Sequence, residues 1–436
     1  MQFGVVLAVI FLAGFTNIRA ADIQMVEVAL VVGLGLSTLQ PQKLLRVAGS
    51  PVIVNLLPAC LWAFGFLFLN ALFSIRLTFY PPSGDLSPLK QAPWAALIRC
   101  AQTIMAVSTL FVVGLAVRAN PAHFRTMLTA YVWGGYVNVA WGIFCFIAWL
   151  GGLKLPGVTT VDVDGAARIC GFFIEGGPFG VYVAGVMIVQ FIRGYYLRYV
   201  GKQSFFIGMC FLGLGFVGAQ SKASVLLLIL LLVIYLLKIK RVGLVVLGLL
   251  AVVPLAATSN LAAGLNGYYH DYVHFEQAAR ERPDDYGLLM GRLAAAVLVP
   301  RMISEYPLFG VGIGNYSLMR NDPAILQGLP RIELWDLSGL GVLGYMAELG
   351  IPLTLVFVFI YAYPLIKSWR RRPWLVLLCA YPLLAGLFGV QLYFAYPWVV
   401  AGIGLAAIEI DDRHRSNKSR ARRPLAQSQA LVGGLK

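Results

Sequence analysis

The sequence predicts an all-α polytopic membrane protein, and three observations carry that prediction. Of its 436 residues, 59% are hydrophobic and only 12% are charged, whereas soluble domains carry about 25% charged residues. The mean hydropathy is +0.79. Apolar runs recur along nearly the whole length, close to the roughly 20 residues that a helix needs to cross a bilayer. A backbone in lipid must satisfy its own hydrogen bonds, so the core is expected to be a helix bundle.

About 12 transmembrane helices are expected, over 3–18, 23–40, 52–75, 96–117, 127–150, 172–192, 204–220, 222–237, 242–258, 339–366, 374–391 and 395–410. The first run is followed by Arg19-Ala20-Ala21, yet no Lys or Arg precedes it. It therefore reads as a retained helix rather than a cleaved signal peptide. The seventh and eighth runs meet in a tight turn at Ser221. The chain thus divides into helices 1–9 over 1–258, a large loop over 259–338, helices 10–12 over 339–410, and a polar basic tail over 411–436, expected to be disordered.

Charge sets the expected orientation. The net charge of +15 is not a nucleic-acid signal, because the basic residues lie between spans and in the tail. With the N-terminus inside, 21 of the 34 Lys and Arg fall on the inner side and 7 in short outer segments. That asymmetry puts both termini in the cytoplasm and the long loop outside. Only Glu409, Asp411 and Asp412 of the 19 acidic residues lie at the inner face. Chemistry is accordingly expected on the outer side.

Within the loop, 286–305 reads as one amphipathic helix with Leu289, Leu293, Ala296, Val297 and Pro300 near one stripe. Pro307 ends it, and Pro300 predicts a kink or break inside it. A Gly-rich turn follows, Leu308-Phe309-Gly310-Val311-Gly312-Ile313-Gly314-Asn315.

Ionisable groups in or beside a bundle are costly, so each marks a candidate site. Arg168 precedes Glu175 by seven residues, about two helical turns, which places them on one helix face as a phosphate-holding cation and a buried, cavity-facing carboxylate. The bland alternative is a structural network. Arg292 and Arg301 stand on the loop helix, and a guanidinium matches phosphate oxygens bidentately. The alternative for Arg301 is a pair with Glu305. Lys222, at the outer start of a span, either snorkels or adds a cation to the cavity mouth. Asp336 sits at the loop–membrane junction, within reach of an acceptor hydroxyl or capping the next helix. Glu348 lies nine residues into its run, about 13 Å deep. Asp336, Glu348 and Glu175 are thus the candidate catalytic carboxylates; Arg168, Arg292, Lys222 and Arg301 are the candidate pyrophosphate-binding cations.

Other features carry less. His270 and His274 have i, i+4 spacing without a third ligand, so no metal is expected. The Gly310-Val-Gly312-Ile-Gly314 stretch lacks a βαβ context and is no dinucleotide site. Six cysteines without a CxxC read as small core hydrophobes.

The segment 168–182, the Ser221-Lys222 helix start, Gly291-Arg292 with Tyr306-Pro307-Leu308-Phe309-Gly310-Val311-Gly312-Ile313-Gly314-Asn315-Tyr316, and Ala347-Glu348-Leu-Gly350-Ile-Pro-Leu together resemble the O-antigen ligase/O-antigen polymerase superfamily, over roughly 160–365. The resemblance implies a GT-C-like membrane fold of about a dozen helices with a large, partly helical periplasmic loop. It implies a metal-independent, inverting glycosyltransferase of the bacterial inner membrane, without cofactors, in which Arg168 and Arg292 engage undecaprenyl pyrophosphate. Its partners would be an undecaprenyl-pyrophosphate-linked glycan, the lipid bilayer and a chain-length regulator. Ligases of the family carry a histidine where this chain has Gly339. The expectation is therefore a polymerase of O-antigen or exopolysaccharide repeat units, ahead of a ligase acting on lipid A core. A lipid-linked oligosaccharide transporter is the rival from another class, although the inverted repeats common in transporters are not evident.

Overall fold

A computed structural model describes residues 3–16, 19–20, 23–38, 55–83, 94–153, 168–244, 267 and 269–433. The described residues are α-helical and loop, apart from one antiparallel pair, β1 (Arg19–Ala20) and β2 (Ile23–Gln24). The first helices are α1 (Phe3–Leu12), α2 (Met25–Thr38), α3 (Leu57–Ser74), α4 (Trp94–Ala119) and α5 (His123–Leu150). Next come α6 (Gly176–Phe191), which continues as a π-turn over Ile192–Tyr196, then α7 (Lys202–Gly218) and α8 (Lys222–Lys238). The loop contributes α9 (Phe275–Glu281), α10 (Tyr286–Leu289), α11 (Gly291–Glu305), α12 (Tyr316–Met319) and α13 (Pro323–Leu326). The chain closes with α14 (Val342–Leu349), α15 (Ile351–Ser368), α16 (Pro373–Leu387) and α17 (Ala395–Gly433).

Five helices among the described residues are long and apolar enough to cross a membrane: α3, the Trp94–Val117 part of α4, α5, α6 with its π-turn (Gly176–Tyr196), and α15. The apolar helices α1, α7 and α16 are shorter. The fold is that of a helical membrane protein, with five of the twelve expected spans found at crossing length among the described residues. The expected span 339–366 is shortened to α15. The Leu308 carbonyl fills the place of a Cβ at Gly350, and the helix breaks there into α14 and α15. The expected span 242–258 lies outside the described residues from 245 onward.

Small residues let the helices approach. Gly215 of α7 lies against Val139 of α5, and Gly185 of α6 against the Tyr381 ring of α16; a methyl group at either would overlap its neighbour. Such close contact is what holds helices together where lipid removes the hydrophobic drive between them. The outward face of α7 exposes Phe206, Leu214 and Val217, so this helix is apolar all round, as a lipid-facing helix is.

The loop builds its own small core from Leu293, Leu298 and Met302 of α11 with Tyr316, Ile325 and Ile332. Three expectations are corrected here. The helix expected over 286–305 is two helices, separated at the extended residue Met290. Pro300 stays inside α11 without ending it, because Pro300 is exposed and the carbonyl it leaves without a donor four residues earlier lies on the same open side. The buried stripe is also turned: Ala294, Leu298, Val299 and Met302 meet the core, whereas Ala296 and Val297 are half-buried. A further correction concerns the tail. The backbone of α17 stays helical to Gly433 in a segment rich in the good helix formers Arg, Ala, Leu and Gln.

Contacts sort the helix ends into two groups. At one end, beneath the loop, Phe73 of α3 stacks on Phe309 at 5.1 Å, and the Ile169 amide donates to the Gly218 carbonyl of α7 at 2.8 Å. There too Phe173 meets Tyr396 of α17 at 5.8 Å. At the opposite end Phe3 stacks on His123 at 3.5 Å, Lys238 donates to the Trp369 carbonyl, and Arg371 pairs with Asp411 and Asp412.

Candidate functional site

The site builds from the loop-side end of the bundle. Segment 168–175 is not helical, so Arg168 and Glu175 do not share a helix face as expected. The chain instead passes Gly218 as irregular backbone, turns over 171–175 and enters α6 at Gly176. Glu175 is the N-cap residue of α6 and is exposed rather than buried, and its side chain makes no capping bond. The aliphatic part of Arg168 crosses Gly176: a Cβ there would stand 3.3 Å from Arg168 Cδ and 2.5 Å from the Ala219 carbonyl oxygen. Three residues after Ala219, Lys222 begins α8 and is exposed. Ser221 caps α8 by accepting from the Ser224 amide at 3.3 Å, and its hydroxyl donates to the Gly177 carbonyl at 3.3 Å. Arg168 and Lys222 therefore stand at two adjoining helix N-termini, where unpaired amides already carry partial positive charge.

Beside this ledge, two sequence motifs form one unit. The Gly-rich turn lies along the break between α14 and α15. Val311 N–H donates to the Ala347 carbonyl, Gly312 N–H to the Glu348 carbonyl, and Ile351 N–H to the Pro307 carbonyl, each at 2.9 Å. Gly310, Gly312 and Gly314 all have positive φ, and a Cβ on Gly310 would come within 2.5 Å of the Glu348 backbone. Only glycine adopts that conformation at so close an approach. Glu348 is not deep in a long helix. It is the seventh residue of the eight-residue α14, and its carboxylate accepts from the Gly314 amide at 3.1 Å. Asn70 of α3 fastens the unit to the bundle. Its amide donates to the Phe309 and Glu348 carbonyls, and its carbonyl accepts from Ile313 N–H at 3.1 Å.

Arg292 lies at the start of α11 and is exposed. Its side chain covers Gly339, where a Cβ would lie 3.4 Å from Arg292 Cγ. Gly339 in turn touches Gly389, in the turn between α16 and α17. Further along that turn, Tyr393 lies under the Arg99 guanidinium, 4.2 Å from carbon to ring centroid. Its neighbour Phe394 meets Phe173, close to Arg168 in sequence, at 6.4 Å. Turn 388–394 thus links the Arg292 side of the site to the Arg168 side.

Asp336 is buried and does not face an open acceptor position. It pairs with the equally buried Arg320 and accepts from the Gly291 amide at 3.1 Å and the Leu337 amide at 2.8 Å. Burial pushes its carboxyl above the ordinary value, against the opposing pull of Arg320 and the two amides. Asp336 therefore anchors the first residue of α11 and sets the place of Arg292. Arg301 is the one candidate cation held well away from the site. It donates to the Ile325 and Leu326 carbonyls at 3.0 and 2.9 Å and pairs with Glu276 at 2.5 Å, not with Glu305.

Three residues not singled out by the sequence reading belong to this region: Arg99, Arg320 and Asn70. Asn70 had a signal, since an amide inside an apolar run must find partners. His270 and His274 lie ring to ring at 4.7 Å, and no group of three metal-capable side chains occurs among the described residues. Five of the six cysteines are buried, Cys210 is exposed, and all are free. Comparison of the sequence with models of known protein families and with curated proteins finds no match.

Proposed function

We propose that the protein is a membrane glycosyltransferase that polymerises undecaprenyl-pyrophosphate-linked repeat units at the loop-side, periplasmic face of a bacterial inner membrane. The observation that carries this reading is Arg168 lying across the start of α6, with Lys222 at the start of α8 beside it. Cations beside helix N-termini, whose first amides point outward, form a ready-made anion-binding arrangement. A diphosphate on a membrane lipid is such an anion, and Arg292 approaches from the loop through Gly339 and turn 388–394.

In the proposed reaction an acceptor hydroxyl attacks the anomeric carbon from the side opposite the pyrophosphate. The carbon–oxygen bond to pyrophosphate breaks, and configuration inverts. Arg168 and Arg292 stabilise the charge that develops on the leaving group, where preorganised donors are worth most. A carboxylate takes the hydroxyl proton. Glu175 is the best placed of the three candidates, being exposed, whereas Asp336 and Glu348 are buried and bind backbone amides.

Glycine at position 339, where ligases of the resembled family carry a histidine, supports a polymerase over a ligase, and its φ of +59° is one that side chains rarely adopt. The test is a reaction of purified protein with lipid-linked repeat units, with and without a lipid A core acceptor. A ladder of lengthened lipid-linked products without core acceptor is expected. Transfer seen only with core acceptor would make it a ligase; movement of substrate across the bilayer without any new glycosidic bond would make it a transporter.

A further inference from the structure

The exposed side of α11 carries a feature that the pyrophosphate site leaves unused. Arg292, Ala296 and Pro300 are spaced i, i+4, i+8 and so share one stripe of this helix. Ala296, Val297 and Pro300 form one wall of an open groove of about 580 Å³ whose other wall is the segment leading into α9. That wall is mixed in character: Tyr272 and Val273 are exposed and apolar-faced, and His274 and Gln277 bring polar atoms to the same surface. The loop's own core lies mainly on the other side of α11, with Phe275 and Val297 at its edge. At 1.5 Å per residue, Ala296 and Pro300 lie about 6 and 12 Å along the helix from Arg292.

We propose that this groove binds the oligosaccharide portion of the lipid-linked substrate, whose pyrophosphate Arg292 holds. The inference rests on the transferase reading and extends it from the phosphate to the sugar. A saccharide offers apolar C–H faces and a rim of hydroxyls. It therefore needs what this groove has, a tyrosine face for stacking with polar groups around it. A chain attached to a phosphate at the start of α11 has the groove directly in its path. A lipid tail would match the apolar faces but would set the polar rim of His274, Glu276 and Gln277 against hydrocarbon.

The experiment uses the full-length protein in nanodiscs and, as probe, the phosphate-free oligosaccharide released by mild acid from the host's own surface polymer. Saturation-transfer NMR reads its binding. Wild type and Arg292→Ala should bind it alike, because the probe carries no phosphate. Tyr272→Ala should weaken binding about tenfold, and Ala296→Trp, which fills the groove from a position outside the loop core cluster, should abolish it. No binding by wild type, or equal binding by Ala296→Trp, would overturn the proposal; so would crosslinking of acyl chains rather than sugar from a photoreactive group at Tyr272. Because Arg292→Ala separates the two readouts, sugar binding with no transfer would count against the transferase alone, and transfer with no sugar binding against the groove alone.

Discussion

Two groups of cations at opposite ends of the bundle sit in different settings. Away from the loop, Arg371 lies 3.4 Å from Asp411 and 2.7 Å from Asp412, Arg415 lies 2.9 Å from Asp411, and Arg413 lies 3.0 Å from Glu409. Those three arginines are paired with carboxylates of the protein itself. Beneath the loop, Arg168 and Lys222 sit instead at the positive starts of α6 and α8. Arg292 at the start of α11 makes no ion pair with a described residue. The paired set is a matter of stability and topology. The loop-side set stands at helix N-termini, which favour an anion, and on the proposed function this is the working face.

One loop-side pair tests the contrast most severely. Arg320 and Asp336 are balanced although they lie beside the site. Removing one partner should therefore cost stability: Asp336→Ala should lower it by about 3–5 kcal/mol, the usual effect of leaving a buried charge alone. Thermal unfolding in detergent measures this, and Arg320→Met with Asp336→Leu should recover much of the loss. Next in size, Arg168→Ala and Arg292→Ala should each reduce polymer formation by about 10²–10³-fold, the effect of losing one donor to a developing oxyanion, at unchanged protein level. Ordinary polymer from either variant at matched expression would break the contrast. Glu175→Gln should slow transfer about 10²-fold, the low end for a general base, while the melting temperature stays put. The smallest effect on function belongs to Arg301→Ala, which should cost about 1–3 kcal/mol of stability from its unsatisfied carbonyl partners and leave polymer length unaltered.

Hydropathy made the helical bundle legible, because lipid demands apolar length and little else. The breaks in it were not. Gly350 divides an apolar run only because the Leu308 carbonyl, more than forty residues earlier in sequence, packs against it. Likewise the buried stripe of α11 is set by the elements it packs on, Tyr316 and Ile325 among them, rather than by its own spacing. Of the candidate site, Arg168, Lys222 and Arg292 were legible as cations beside apolar runs, and the Gly-rich turn and the Glu348 segment as separate motifs. That these two motifs hydrogen-bond to one another was not. Arg320 and Arg301 look alike in sequence to Arg292, and only tertiary structure reveals that their guanidinium groups are already engaged. Asn70 and Asn138 illustrate a signal that was available. Each is an amide within an apolar helix, and each fastens a loop to the bundle, Asn138 by donating to the Gly14 carbonyl and accepting from Phe172 N–H, both at 2.8 Å.

The most direct measurement is the affinity of the full-length protein in nanodiscs for undecaprenyl pyrophosphate, compared among single alanine variants at the two ends. Arg168→Ala and Arg292→Ala should each bind at least about tenfold more weakly, a difference of about 1.4 kcal/mol, and Arg371→Ala should bind as wild type does. Equal affinity in all four proteins would contradict the assignment of the loop-side cations to a diphosphate.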